Sequence, residues 1–198
     1  MNYLAIDTTN STLTVVLRNG EQLLCTRKEM EKAEHSTSLM PTIDEIISKA
    51  NMNIKDIENF AVNVGPGSFT GIRIGVSSMT AMSYANKAKR ISFSTFEILA
   101  ANRGEITVSV DAGHGNTYLA KCKDGEIVET DFIEAGKEYD FSSVISTPLI
   151  DECEAIDQIV MKKYQNNEFV DVFVPFYMRK SQAERNLEWH LFHLHMNI

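Results

Sequence analysis

Asp7-Thr8-Thr9-Asn10-Ser11 sets a carboxylate, three hydroxyls and an amide in five consecutive residues, directly after the apolar run 3–6. A tight turn of that composition offers N–H groups, hydroxyls and a carboxylate, the equipment for a phosphate with its metal. Asp111 repeats the arrangement: it ends the apolar run 106–110 and leads into Ala112-Gly113-His114-Gly115-Asn116. Two such turns facing each other would clamp phosphates, or both aspartates could simply cap strand-to-turn transitions. A second anion candidate is Gly65-Pro66-Gly67-Ser68-Phe69-Thr70-Gly71, between an apolar run and a helical one. Helix N-termini present free N–H groups there. It is not a P-loop, since no Gly-Lys-Ser/Thr follows and the nearest cation is Arg73.

Gly71, Gly75, Ser78 and Ala85 then form a small-residue stripe at helical spacing. Such a stripe admits another helix closely, or packs onto the chain's own sheet. Of the five histidines, His190, His193 and His195 could hold a metal with Glu188, but a histidine-rich frayed terminus is the plainer account. No metal site is expected, and without a Gly-x-Ser-x-Gly elbow there is no serine-hydrolase case.

The elements that must hold these residues follow from periodicity. Residues 3–6, 12–17 and 22–26 read as strands, with Asn19-Gly20 a strong hairpin signal between the second and third. From about Ala33 the period changes: Leu39, Ile43, Ile46, Ile47 and Ala50 mark an amphipathic helix containing Pro41. Residues 60–64 form a buried strand, apolar except for Asn63, and a helix runs to about Asn86. Residues 90–93 give a strand, and Ser94 or Thr95 caps a helix over 96–102.

The opening pattern is then repeated. Asp7 precedes Gly20 by 13 positions and Asp111 precedes Gly125 by 14, so two lobes sharing a β-β-β-helix plan are expected. A modest helix over 151–164, a strand over 171–175 and a helical or irregular tail from Ser181 complete the expectation. Residues 130–198 hold a single glycine, Gly136. A nucleotide-hydrolysing second lobe usually draws on glycine-rich backbone for close approach, so an active kinase is disfavoured.

At 198 residues, 43% hydrophobic and 23% charged, the chain has the composition of a globular protein. Its net charge of −8 argues against a broad nucleic-acid footprint, so any nucleic-acid role would come through a partner or a local patch. Cys25, Cys122 and Cys153 show no C-x-x-C spacing and are expected as reduced thiols in the cytoplasm. No leader and no membrane span are expected.

In order and spacing these segments resemble the TsaB (YeaZ) family. The match runs from Leu4-Ala5-Ile6-Asp7-Thr8-Thr9 through His35-Ser36-Thr37-Ser38-Leu39-Met40-Pro41 to Gly65-Pro66-Gly67-Ser68-Phe69-Thr70-Gly71-Ile72-Arg73-Ile74-Gly75-Val76. It continues at residues 92–100, at Asp111-Ala112 with Tyr118, and at Pro175-Phe176-Tyr177-Met178-Arg179. Thr37 stands where the family often has Glu, and Gly113-His114 and Asn116 replace an Arg-rich turn.

The resemblance implies an α/β fold, actin/Hsp70-like (ribonuclease H-like), with two lobes of mixed sheets, 1–103 and a reduced 104–198. It implies a non-catalytic subunit in the synthesis of threonylcarbamoyladenosine in tRNA, pairing with the catalytic homologue TsaD and joined by the ATPase TsaE. Its first two helices would form the partner interface, carried here by His35, Ser36, Leu39, Met40, Ile43, Gly71, Arg73, Gly75, Ser78 and Met82. Asp7, Thr8, Thr9 and Asp111 would be a vestigial phosphate site. No cofactor is expected for the isolated chain, with ATP or ADP entering only in complex with TsaD and TsaE. tRNA would be met only through the complex. The competing expectations are a homodimer using the same helix face, and a kinase or metallopeptidase-like enzyme.

Overall fold

A computed structural model describes residues 1–31 and 34–178; the histidine-rich tail and the Arg179 of the last matching segment lie outside them. The chain opens with an antiparallel meander, β1 (Asn2–Asp7), β2 (Thr12–Asn19) and β3 (Gln22–Glu29). Two further strands add to β1 in parallel: β4 (Asn59–Asn63) beside β1 and β5 (Lys89–Phe93) beside β4, giving the order 3-2-1-4-5. β1 and β4 are apolar almost throughout because both faces of the sheet are covered.

One face carries α1 (His35–Lys49) and α2 (Phe69–Asn86), with Leu39, Ile43 and Ile46 meeting Leu4, Ile6, Val15, Phe60 and Val62. α1 runs through Pro41. The opposite face carries α3 (Thr95–Ala100) and α4 (Glu152–Gln165), whose Ile156 and Val160 pack on Tyr3, Ala5, Val16 and Ile91. Ser94 caps α3 in a reciprocal box with Glu97.

The second sheet contains β6 (Glu105–Gly113), β7 (Asn116–Lys123), β8 (Glu126–Ile133) and the short β9 (Val144–Ile145), in the order 8-7-6-9. Its three antiparallel strands and its parallel neighbour to β6 reproduce β1–β4, which is the repeat expected from the spacing of Asp7 and Asp111. The Asp124-Gly125 turn has positive φ at both residues, 52° and 80°, the geometry that joins twisted strands in two residues. No helix separates β8 from β9, and among the described residues nothing corresponds to β5, so the lobe is reduced. α3 closes its inner face with Phe96, Leu99 and Ala100 on Val108, Ala120 and Cys122.

Three expectations are corrected. Residues 171–175 form no strand: isolated bonds, Val170 N–H to Arg90 O (3.0 Å) and Phe176 N–H to Val64 O (2.8 Å), flank them, and only Phe173 is buried. Cys25 and Cys153 are not free thiols but a disulfide, with Cα atoms 6.2 Å apart across 128 residues; Cys122 is free and buried. α4 and residues 170–176, expected within the second lobe, pack on the first sheet, because Ile156, Val160 and Phe173 complete its two hydrophobic faces. No helix among the described residues is long and apolar enough to cross a membrane.

α4 is held to the sheet along three successive rungs. On the first, Asp157 accepts from the Tyr3 hydroxyl (2.6 Å) and from Arg18 Nε (2.7 Å), and pairs with Arg18 Nη2 through its other oxygen. The second is the Cys25–Cys153 bond. On the third, Arg27 lies 3.3 Å from Glu152 and 3.5 Å from Asp151. Strand register dictates this spacing, since Tyr3↔Arg18, Ala5↔Val16↔Cys25 and Asp7↔Thr14↔Arg27 are cross-strand rows on one face.

Candidate functional site: an interlobe cleft and a helix face

A cleft of about 520 Å3 lies between the lobes, and its walls bring together Asp7, Thr9, Ser68, Asp111 and Glu152. The two aspartates singled out by the repeat therefore do face one space. Their surroundings differ: Asp7 is buried, whereas Asp111 is exposed and accepts from Gly113 N–H (2.8 Å).

The β1–β2 turn is closed by the chain itself. Asp7 Oδ1 accepts from Thr9 N–H (2.7 Å) and Oδ2 from the Asn63 amide (2.7 Å). Thr8 Oγ1 donates to Gly71 O (2.7 Å), and Ser68 N–H donates to Thr9 O (2.6 Å). Asn63 also accepts from Gly65 N–H (2.9 Å), and Thr95 Oγ1 donates to Pro66 O (2.7 Å). At the α2 N-terminus, Ser68 Oγ accepts from Gly71 N–H (3.2 Å), so the chain caps the end offered above as an anion site.

The glycines of this loop owe their identity to the same apposition. A Cβ on Gly71 would overlap the Thr8 carbonyl oxygen, and one on Gly75 would come within 2.5 Å of Thr8 Oγ1 and 3.3 Å of Val62. Gly71 and Gly75 are therefore corrected from partner interface to internal contact. Leu39 and Ile43 are likewise core residues, Met82 packs partly against the same core, and Ser78 is half-buried. His35 is half-buried at the start of α1, while Ser36, Met40 and Arg73 face outward.

The outward face of α2 is instead Thr70, Arg73, Ser77, Ala81 and Tyr84, again at helical spacing. Arg73 lies over the Phe69 ring (3.9 Å) and donates to the Tyr177 hydroxyl (3.0 Å), and Phe69 stacks on Tyr177 at 5.3 Å. The 175–178 segment of the sequence resemblance thereby sits at one end of this face.

Sequence reasoning missed Thr95 and Glu152 as cleft residues and Asn63 as the buried partner of Asp7. Asn63 left a signal as the polar residue of an apolar strand. Glu152 left none, since its position depends on the docking of α4. Burial, and then the nearby Asp7, push the Glu152 carboxyl up from 4.5 to about 7; Asp7 is itself raised by burial, against the pull of its Thr9 and Asn63 bonds.

The folded chain holds the Glu152 proton more tightly than the unfolded chain does, so this group's contribution to stability falls as pH rises from about 4.5 to about 7. Glu152→Gln should flatten that decline by on the order of 1–3 kcal/mol, read from urea unfolding across the window. A variant that keeps the wild-type pH slope would place its origin elsewhere.

Fold and cleft together define the class: a two-lobed, actin-like α/β protein with a repeated β-β-β core. The family model described as "TsaD: tRNA N6-adenosine threonylcarbamoyltransferase" matches residues 28–147. The chain is 31% identical to the Bacillus subtilis (strain 168) "tRNA threonylcarbamoyladenosine biosynthesis protein TsaB" over 155 residues, 71% of this chain and 68% of that one. It is 28% identical to the Escherichia coli (strain K12) protein of the same description, over 64% of this chain and 57% of that one. Its structure is similar to that of YeaZ from Pseudomonas aeruginosa, with a TM-score of 0.68 at 18% identity, covering 85% of this chain and 94% of that one. This chain belongs to the TsaB (YeaZ) family.

Proposed function

We propose that this chain is a non-catalytic scaffold subunit in the synthesis of threonylcarbamoyladenosine in tRNA, one that pairs with TsaD and activates it through the outer faces of α1 and α2. The place of action is the cytoplasm, and TsaE joins the assembled pair. The observation that carries the non-catalytic part is the chemistry of the cleft. Among the described residues its walls hold three carboxyl groups, Asp7, Asp111 and Glu152, and no lysine, arginine or histidine. Both Asp7 oxygens and the Thr8 hydroxyl already have partners within the chain. A cleft so lined offers a polyphosphate no cation of its own and few free donors, so the isolated chain takes no nucleotide, and ATP or ADP enters only with TsaD and TsaE.

The pairing part is supported by the outward face of α2, where Ser77 and Ala81 leave room for a helix to approach between Arg73 and Tyr84. Ala81→Arg should abolish one-to-one pairing with TsaD from the same genome, seen by light scattering after size exclusion, while the melting temperature of the chain stays unchanged. Retained pairing at native affinity would move the interface off this face. Growth in mass of the chain alone, lost in the same variant, would favour self-association.

A further inference from the structure

The cleft lies at the ends of β1 and β4 marked by Asp7 and Asn63. At the opposite ends of β4 and β5 is a second cavity, of about 450 Å3, a size ordinary for ligand sites. Its walls come from four places. The 3-10 turn Ile54–Asp56 supplies Lys55, the start of β4 supplies Asn59, and the end of α4 supplies Tyr164. Between α2 and β5 the chain turns through Lys87, in left-handed conformation at φ 53°, and Lys89 opens the next strand. Asn59 and Lys89 are register partners in the β4–β5 pair, so their side chains lie on the same face of the sheet.

Two features of this cavity call for a ligand. The first is charge. Lys55, Lys87 and Lys89 form no ion pair among the described residues; Lys89 Nζ rests 4.1 Å from the centre of the Phe169 ring. Of the carboxylates here, Glu58 lines the same cavity and accepts from Asn2 N–H (2.9 Å), and Asp56, next to Lys55, accepts from Asn53 N–H (2.8 Å). Three lysines against one carboxylate, Glu58, leave this rim positive in a chain of net charge −8.

The second feature is a missing donor. Asn59 is 1% exposed and its Nδ2 donates to Asn2 O (3.3 Å), but its Oδ1 is buried with no hydrogen-bond partner. An acceptor left so is costly. A fully ionised phosphate brings acceptors alone and cannot satisfy it. A ribose brings a hydroxyl donor next to a phosphate, and the 2′-hydroxyl is what separates RNA from DNA at such a site.

We propose that this rim is an RNA-backbone docking site, in which Lys55, Lys87 and Lys89 hold phosphates and Asn59 accepts from a ribose 2′-hydroxyl. Tyr164 lines the same cavity and offers an aromatic wall beside the sugar. The proposal rests on the assigned role in tRNA modification only for the identity of the RNA. It departs from the expectation that tRNA is met solely through the complex.

The test is fluorescence anisotropy with the whole chain, using tRNA and one labelled single-stranded sequence made as RNA and as DNA, at about 50 to about 200 mM KCl. RNA binding should weaken linearly on a log–log salt plot. Lys55→Glu with Lys87→Glu, both exposed, should weaken binding about tenfold or more and lower the salt slope by about 2. The DNA strand should bind several-fold more weakly than its RNA counterpart. Absence of wild-type binding, an unchanged double variant, or equal RNA and DNA affinities would each overturn the site. Pairing with TsaD, measured on the same preparations, should be intact in the double variant. Loss of pairing in the wild-type chain would count against the scaffold role and leave the RNA result standing.

Discussion

Gly71→Ala is expected to destabilise the chain by at least about 3 kcal/mol, although alanine is the better helix former by about 1 kcal/mol. The sign follows from what the new methyl group would meet. It would overlap the carbonyl oxygen of Thr8, in a buried turn pinned through Asp7, Asn63 and Ser68. A flexible side chain could swing aside, but a backbone carbonyl held in place cannot without moving β1 or α2. Gly104→Ala is the control, because nothing lies within 4 Å of its added Cβ. Urea unfolding of the two variants decides the matter, and a neutral or stabilising Gly71→Ala would refute the close approach of α2 to the β1 turn.

Asp157→Ala should cost about 3–5 kcal/mol, the range for removing one member of a largely buried ion pair. It strips Arg18 of both its carboxylate bonds and leaves the Tyr3 hydroxyl unpartnered beneath α4, where the side chains of Arg18 and Asp157 are only 16% and 14% exposed. Measured with the Cys25–Cys153 bond intact, the loss reports the ion-pair rung alone. Lys162→Ala, which removes an exposed pair with Glu126, should change stability by less than about 1 kcal/mol. Equal effects from the two variants would show that α4 docks without help from its buried acid.

Much of the first lobe was legible because its signals are local. The run from Leu13 to Leu17, the Asn19-Gly20 turn and the Leu39–Ile43–Ile46 period each follow from residues within a few positions of one another. The two-lobe plan was legible for a different reason: Asp7 and Asp111 carry the same arrangement at nearly the same distance from a turn glycine. Helical spacing identified Gly71 and Gly75 as one stripe but could not say which neighbour filled it, and the neighbour is Thr8, more than sixty residues earlier. The same limit hid Glu152 and Asp157. Their partners Arg27 and Arg18 lie over a hundred residues away, and only the docking of α4 brings them together. Residues 171–175 misled because alternating valines imitate a strand, although Val172 and Val174 face solvent and, among the described residues, no neighbouring strand receives them.

Because α4 and the stretch through Phe176 return to the first sheet, the second lobe is a parenthesis inside the first rather than a sequel to it. The chain leaves the first lobe near residue 101 and re-enters it near 151, so both ends of the inserted lobe are tethered. Cutting the chain at the apparent boundary would therefore strip one wall from the first sheet. A self-sufficient first lobe would have to join residues 1–103 to 150–178 through a short bridge, with Cys25 and Cys153 both retained. Conversely, the inserted lobe could be exchanged for another of similar end-to-end span without disturbing the outer faces of α1 and α2.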